Sequence, residues 1–271
     1  MRVGLLGAGT ISQLVLQHLQ SGDLEGAEVV ALMGRSEASK GKGQAERYRI
    51  PFVTGIDEFM SLAPDVVVEA ASHEALEAYG ERILKSGASL IVLSAGALAN
   101  DALRQRLENA ARTSRALLYI PSGGIGGLDA IKTAVLSGAK SVTFSTSKPP
   151  IAWKDIDYVE QLGVDLDGLV EPYVLFEGMA REAVKHFPQN VNIAAILSLA
   201  GIGFDRTRVR VVADPGVKYN THTISAVAET GNIKITFENV ASPDNPKTAW
   251  LACYSALAAL REIHQPVRYG T

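Results

Sequence analysis

Met1-Arg2-Val3-Gly4-Leu5-Leu6-Gly7-Ala8-Gly9-Thr10-Ile11-Ser12 opens the chain, and its reading decides the fold. A short apolar run passes directly into a glycine turn and the start of a helix. Gly7 permits the tight turn, Gly9 removes the Cβ that would keep backbone away from a phosphate, and the N–H groups at Thr10 and Ile11 begin a helix with fixed partial positive charge. Ser12 stands where a third glycine is usual and is small enough to keep helix and strand close. The stretch predicts a strand-turn-helix that holds a dinucleotide pyrophosphate. The alternative is an ordinary strand-turn-helix whose glycines carry no ligand.

The residues that follow support a parallel sheet. Ile11, Leu14, Val15, His18 and Leu19 recur at helical spacing, so a helix over about 10–20 packs one stripe inward, with His18 as a packing residue. Glu28–Met33, Asp65–Ala71, Ser89–Ser94 and Ala116–Ile120 are apolar throughout instead of alternating, the pattern of parallel strands buried on both faces. Residues 1–121 therefore read as a doubly wound, Rossmann-type α/β domain. Its ligands are expected at the carboxyl ends of its strands, where Gly7, Gly34, Ala71-Ser72-His73, Ser94-Ala95-Gly96 and Ser122-Gly123-Gly124 fall.

Beyond Lys140 the period changes. Ser141–Thr146, Arg208–Ala213, Tyr219–Val227 and Asn232–Phe237 alternate at period two, and Gly231-Asn232 supplies a turn, so residues 122–244 read as a smaller α+β domain with a mainly antiparallel sheet. Helices around 127–136 and 191–199 are expected to cover it. Asn245-Pro246 looks like an N-cap followed by proline at the first helical position, opening a helix to about Arg261. Residues 245–271 are expected to return to the first domain.

Composition narrows the function. The 271 residues carry a net charge of −3, which gives no general attraction to nucleic acid or to an anionic membrane. The single cysteine, Cys253, excludes an intrachain disulfide and falls in an apolar stretch, as a buried structural thiol does. No histidine pair has metal-ligand spacing, and no apolar stretch approaches a membrane span. A cytoplasmic protein acting on small molecules is expected.

No acid follows the second strand to hold a free ribose 2′-hydroxyl. Arg35 and Ser36 occupy that place, and a guanidinium and a hydroxyl suit a 2′-phosphate. NADP(H) is thus favoured over NAD(H), for which Glu37 is the nearest acid. Among the five histidines, His222 shares a strand face with Asn220, Ile224 and Ala226. An imidazole there can exchange a proton near neutrality. A satisfied histidine in a sheet would show the same pattern. His73 follows a strand end that faces the cofactor. Phe187–Asn192 places two carboxamides, Asn190 and Asn192, at the start of a helix, where one caps and the other is available to a ligand.

Taken together, these stretches resemble the L-aspartate dehydrogenase family almost end to end. The resemblance lies in Val3–Gly9, Val68–Ser72, Ile91–Ala97, Ser122–Ala130, Phe176–Gly178, Phe187–Ala195, Asn220–His222 and Asn245–Thr248. The segments Ser-Gly-Gly-Ile-Gly-Gly-Leu-Asp-Ala and Phe-Pro-Gln-Asn-Val-Asn are far more specific than the glycine turn. The resemblance implies NAD(P)-dependent oxidative deamination of L-aspartate to iminoaspartate, which hydrolyses to oxaloacetate and ammonia, and the reverse amination. It also implies a homodimer formed through the second domain and a role in NAD biosynthesis. The family's catalytic histidine maps onto His222, and its cofactor contacts onto Gly124 and Asn192, with Asn190 close by. Gly124 departs from the family's usual alanine, and Gly34-Arg35-Ser36 from members with an acid there. Donors for the two substrate carboxylates remain open, with Ser72, His73 and Lys247 as candidates. Another two-domain reductase, resembling homoserine dehydrogenase or dihydrodipicolinate reductase, or a protein that senses NADP(H) without turnover, are the alternatives.

Overall fold

The computed structural model describes residues 1–187, 192–242 and 245–269. The chain forms two compact units, Met1–Pro121 with Cys253–Tyr269, and Ser122–Ala252.

In the first unit the apolar runs form strands β1 (Arg2–Leu6), β2 (Glu28–Met33), β3 (Phe52–Val53), β4 (Val66–Glu69), β5 (Ser89–Val92) and β6 (Leu118–Tyr119). They alternate with helices α1 (Thr10–Gln20), α2 (Gly41–Tyr48), α3 (Ile56–Ser61), α4 (His73–Lys85) and α5 (Asp101–Ser114). All strand pairs are parallel, in the order β3-β2-β1-β4-β5-β6. The order reverses between β1 and β4, which is where ligands bind in such sheets, outside the carboxyl ends of the strands. Val3, Leu5, Val15, Leu16, Leu32, Val66, Val68 and Ile91 form the core. Burying each large side chain of this kind stabilises the fold by about 1.5–3 kcal/mol. His18 packs edge-on against Tyr254 and binds Asp23 at 2.5 Å.

The second unit holds α6 (Leu128–Leu136), β7 (Ser141–Lys148), α7 (Asp157–Gln161), β8 (Tyr173–Met179), α8 (Ala180–His186), α9 (Asn192–Ala200), β9 (Arg208–Ala213), β10 (Asn220–Ala228) and β11 (Gly231–Asn239). Its five-stranded sheet runs β11-β10-β7-β9-β8, antiparallel except for the β7–β9 pair. The alternation in sequence becomes an alternation in burial. Val142, Phe144, Thr146 and Lys148 of β7 are buried along with His222, Ile224 and Ala226 of β10, while the residues between them are partly or fully exposed.

The expected helix start at Pro246 is not observed. Asn245–Ala249 is strand β13, paired antiparallel with β12 (Ala241–Ser242), and helix α10 begins only at Trp250 and runs to His264. Proline's fixed φ and missing N–H suit a short edge strand as well as a first helical turn, so the Asn-Pro pair does not distinguish them. Ala256, Ala259 and Leu260 of α10 join the core of the first unit, with Cys253 also buried. The Tyr119 hydroxyl donates to the Glu262 carboxylate, which fastens the helix to β6. No described helix is long and apolar enough to cross a membrane.

Candidate active site

The glycine turn follows directly from β1. Gly7 has φ +107°, and a Cβ there would lie 2.5 Å from the Ala70 carbonyl oxygen and 2.9 Å from Ala71 Cα, so only glycine fits between the ends of β1 and β4. A Cβ on Gly9 would meet nothing within 4 Å, and Gly9 caps α1 without any side-chain bond, so the space beside the helix start is open and no side chain takes up its first N–H groups as a cap. Ser12 is buried at 1% exposure, in keeping with close packing of α1, and its hydroxyl has no partner. The cradle fits a pyrophosphate. Ala71 is exposed at the end of β4, and its N–H donates to the Glu69 carboxylate at 2.9 Å.

Arg35 and Ser36 lie just past β2, both exposed. Gly34 N–H donates to the Val53 carbonyl, and Ser36 N–H donates to Ser39 Oγ, so the backbone that presents the guanidinium is anchored on both sides. Arg35 makes no ion pair among the described residues. Glu37 is held by the Lys42 ammonium at 2.6 Å. That contact directs Glu37 toward a cation in the first turn of α2.

Ser72 and His73 take structural places. The Ser72 hydroxyl accepts from Ala75 N–H at 3.2 Å as the N-cap of α4, and His73 is the first helical residue. Asn190 lies outside the described residues, as does the side chain of Lys247. Asn192 is the first residue of α9.

In the second unit, Gly124 is held by a residue the sequence did not single out. Asn239, at the end of β11, is 6% exposed and donates from Nδ2 to the Gly124 carbonyl at 2.6 Å. An added Cβ on Gly124 would lie 3.1 Å from Ile193 and 3.2 Å from that same amide. The alanine usual in the family would thus need these neighbours to yield by a few tenths of an ångström.

His222 is the centre of a cluster within the second unit. It is 3% exposed, its Nδ1 has no hydrogen-bond partner, and its ring lies 5.6 Å from that of Phe144. Across the ladder it pairs with Thr146, whose fully buried Oγ1 is also unpartnered. Two residues further along β7, on the same face, Lys148 is 7% exposed, with its Nζ 4.6 Å from the centre of the Trp153 ring. The indole of Trp153 is itself fixed by a bond to the Val212 carbonyl at 3.0 Å.

Burial sets the ionisation of this group. It lowers Lys148 to about 8. Burial, and then the charge of Lys148, lowers His222 to about 3, so its imidazole is neutral at physiological pH. Leaving a buried polar atom without a partner costs about 1–3 kcal/mol, so the two unpartnered atoms of this ladder pair favour a polar partner. The period-two strand made His222 a candidate, and the family resemblance singled it out. Thr146 and Lys148 could be found only from period-two alternation combined with the β7–β10 register. Among the described residues no group of three metal-binding side chains exists.

The doubly wound sheet and the glycine turn at its switch point are those of a nicotinamide-dinucleotide-binding domain. Residues 7–121 match the family model for the NAD-binding domain of homoserine dehydrogenase, and residues 129–263 match the C-terminal domain of aspartate dehydrogenase. The chain belongs to the L-aspartate dehydrogenase family. It is 43% identical to the L-aspartate dehydrogenase of Methanosarcina mazei over 273 residues, covering 100% of both chains. It is 39% identical to L-aspartate dehydrogenase 2 of Bordetella pertussis, covering 96% of each. Among solved structures, the aspartate dehydrogenase of Thermotoga maritima matches with a TM-score of 0.76 and 30% identity, covering 100% of this chain and 99% of that one.

Proposed function

We propose that the protein catalyses NAD(P)-dependent oxidative deamination of L-aspartate to iminoaspartate, and hence to oxaloacetate and ammonia, and the reverse amination. The observation that carries this reading is His222, buried and neutral with Nδ1 unpartnered, on the sheet face that also buries Thr146 and Lys148. Gly7, Gly9, Thr10, Ile11 and Ala71 would hold the dinucleotide, with Gly124, Asn190 and Asn192 as further contacts suggested by the family. When bound, the cofactor accepts hydride from the substrate α-carbon.

The side chains do the rest. Lys148 and Thr146 bind one substrate carboxylate, in place of Ser72, whose hydroxyl is committed to its cap. Because that carboxylate offsets the Lys148 charge, substrate raises the His222 pKa from its low resting value toward neutrality. Bound substrate thereby makes His222 a stronger base than it is at rest, with burial still the larger cause of its low pKa. His222 then takes a proton from the α-ammonium, or from the water that attacks the imine, and returns it in the amination direction.

The test follows absorbance at 340 nm with oxaloacetate, ammonium and either NADPH or NADH, with ammonium omitted as control. Ammonium-dependent oxidation is the expected result, and no oxidation with either cofactor would point to a different two-domain reductase. NADPH is expected to be the better cofactor, because Arg35 is exposed past β2 and Glu37 is engaged by Lys42. Arg35→Asp should raise the KM for NADPH about tenfold or more while leaving NADH little changed, the loss of one charge-assisted contact to a phosphate. A silent substitution would refute the NADP reading.

The protein is further proposed to be a cytoplasmic homodimer. The sheet face opposite His222 carries Thr143, Ser145, Ser147, Thr221, Thr223 and Ser225, all partly exposed, and offers the second unit a surface for a second copy. Light scattering coupled to gel filtration should give twice the 28.8 kDa chain mass. A monomer at micromolar concentration would refute it.

A further inference from the structure

We infer that Glu69 is a positioning residue for the dinucleotide, a buried carboxylate strut that fixes the three strand ends forming the cofactor cradle. This rests on the nicotinamide reading above. Glu69 is the last residue of β4 and is fully buried. Its Oε1 accepts from Ala71 N–H at 2.9 Å and from Ser94 Oγ at 2.8 Å, and its Oε2 accepts from Ser94 N–H at 3.1 Å. One side chain thus ties the turn after β4 to the turn after β5.

The third strand end is tied in by packing. Gly7 fits against the Ala70–Ala71 backbone with no room for a Cβ, and Ala70 N–H donates to the Leu6 carbonyl at 2.9 Å. Any shift of Ala70–Ala71 therefore moves the surface on which the glycine turn rests. A buried carboxylate is costly in a core that leucine or valine would fill more cheaply. Neither Ala71 N–H nor Ser94 N–H can reverse its role, so the pair requires an acceptor at both oxygens. Burial raises the pKa of Glu69, and the three bonds oppose that rise.

Glu69→Gln keeps the shape and removes this property. Whichever way the amide turns, its NH2 faces one of the two backbone N–H groups, and that turn loses its anchor. The experiment measures dinucleotide Kd by NADPH and NADH fluorescence, kcat at saturating cofactor, and Tm, for wild type, Glu69→Gln and Ser94→Ala. The expected result for Glu69→Gln is a Kd about tenfold higher, equivalent to about 1.4 kcal/mol, with kcat at saturation within about twofold of wild type. Ser94→Ala removes one of the three bonds and should raise Kd about two- to threefold.

A Glu69→Gln protein with lowered Tm but unchanged Kd would make Glu69 a purely structural residue and overturn the inference. If Glu69→Gln does not fold, Ser94→Ala decides by the same criterion. Wild type that binds neither dinucleotide would overturn the nicotinamide reading itself, and this inference with it. That failure is told apart from the other because there the wild type binds.

Discussion

His222→Ala is expected to lower kcat in both directions by about 10²–10⁴, the usual contribution of a positioned acid–base group, while dinucleotide affinity stays as in the wild type. Stopped-flow or steady-state rates at saturating cofactor, with fluorescence titration of NADPH, measure both. Near-normal kcat in a folded variant would remove His222 from the chemistry. Stability offers a second readout. His222 titrates at about 3 in the folded chain and near 6.5 when unperturbed, so between these values the unfolded chain binds the extra proton. Its folded pKa is depressed, so this contribution is present above 6.5 and is lost as pH falls. From pH 6.5 to pH 5 the loss is about 2 kcal/mol. His222→Asn should flatten that part of the profile in urea titrations at pH 7 and pH 5, and an unchanged slope would mean the imidazole is not neutral in the fold.

Lys148→Met is the second variant with a large expected effect. Methionine fills the space against Trp153 and removes the charge, so the fold is retained while a buried cation for the substrate carboxylate is lost. Losing one partner of a desolvated charge pair costs about 2–5 kcal/mol, so the KM for oxaloacetate or aspartate should rise about a hundredfold. The KM for the dinucleotide should not move. The same variant removes the second cause of the low His222 pKa. Without the neighbouring charge that pKa should rise above about 3, yet stay below its ordinary value because burial, the larger cause, remains. NMR titration of the imidazole tests this. A fall in the pKa would contradict the arrangement, and an unaltered substrate KM would move the carboxylate site elsewhere.

The glycine turn of the first unit and the His222 cluster of the second differ in how much the sequence discloses. The glycine cradle was legible because its physics is local. A turn that needs φ of +107° at Gly7 and open space at Gly9 calls for glycine at fixed spacing whatever surrounds it. Continuous apolar runs announced buried parallel strands for the same reason. The two-residue β3 was missed because it is too short to show a period, and β8 because Tyr173–Met179 does not alternate cleanly and is irregular against β9. The Asn245-Pro246 start failed because proline satisfies both an edge strand and a first helical turn.

Local signals spanning a few residues therefore settle the doubly wound sheet, the glycine turn, the mainly antiparallel second sheet and the strand face of His222. Strand order and packing bring Thr146 and Lys148 onto that face across the β7–β10 register, set Glu69 between two strand ends, place Asn239 on the Gly124 carbonyl and commit the Ser72 hydroxyl to a cap. Apart from the Ser72 cap, made to Ala75 three positions on, these pairings join residues 25 to more than 100 positions apart. Which distant side chains meet depends on strand order and register, and whether a lysine or histidine keeps its proton depends on how much water the packing excludes.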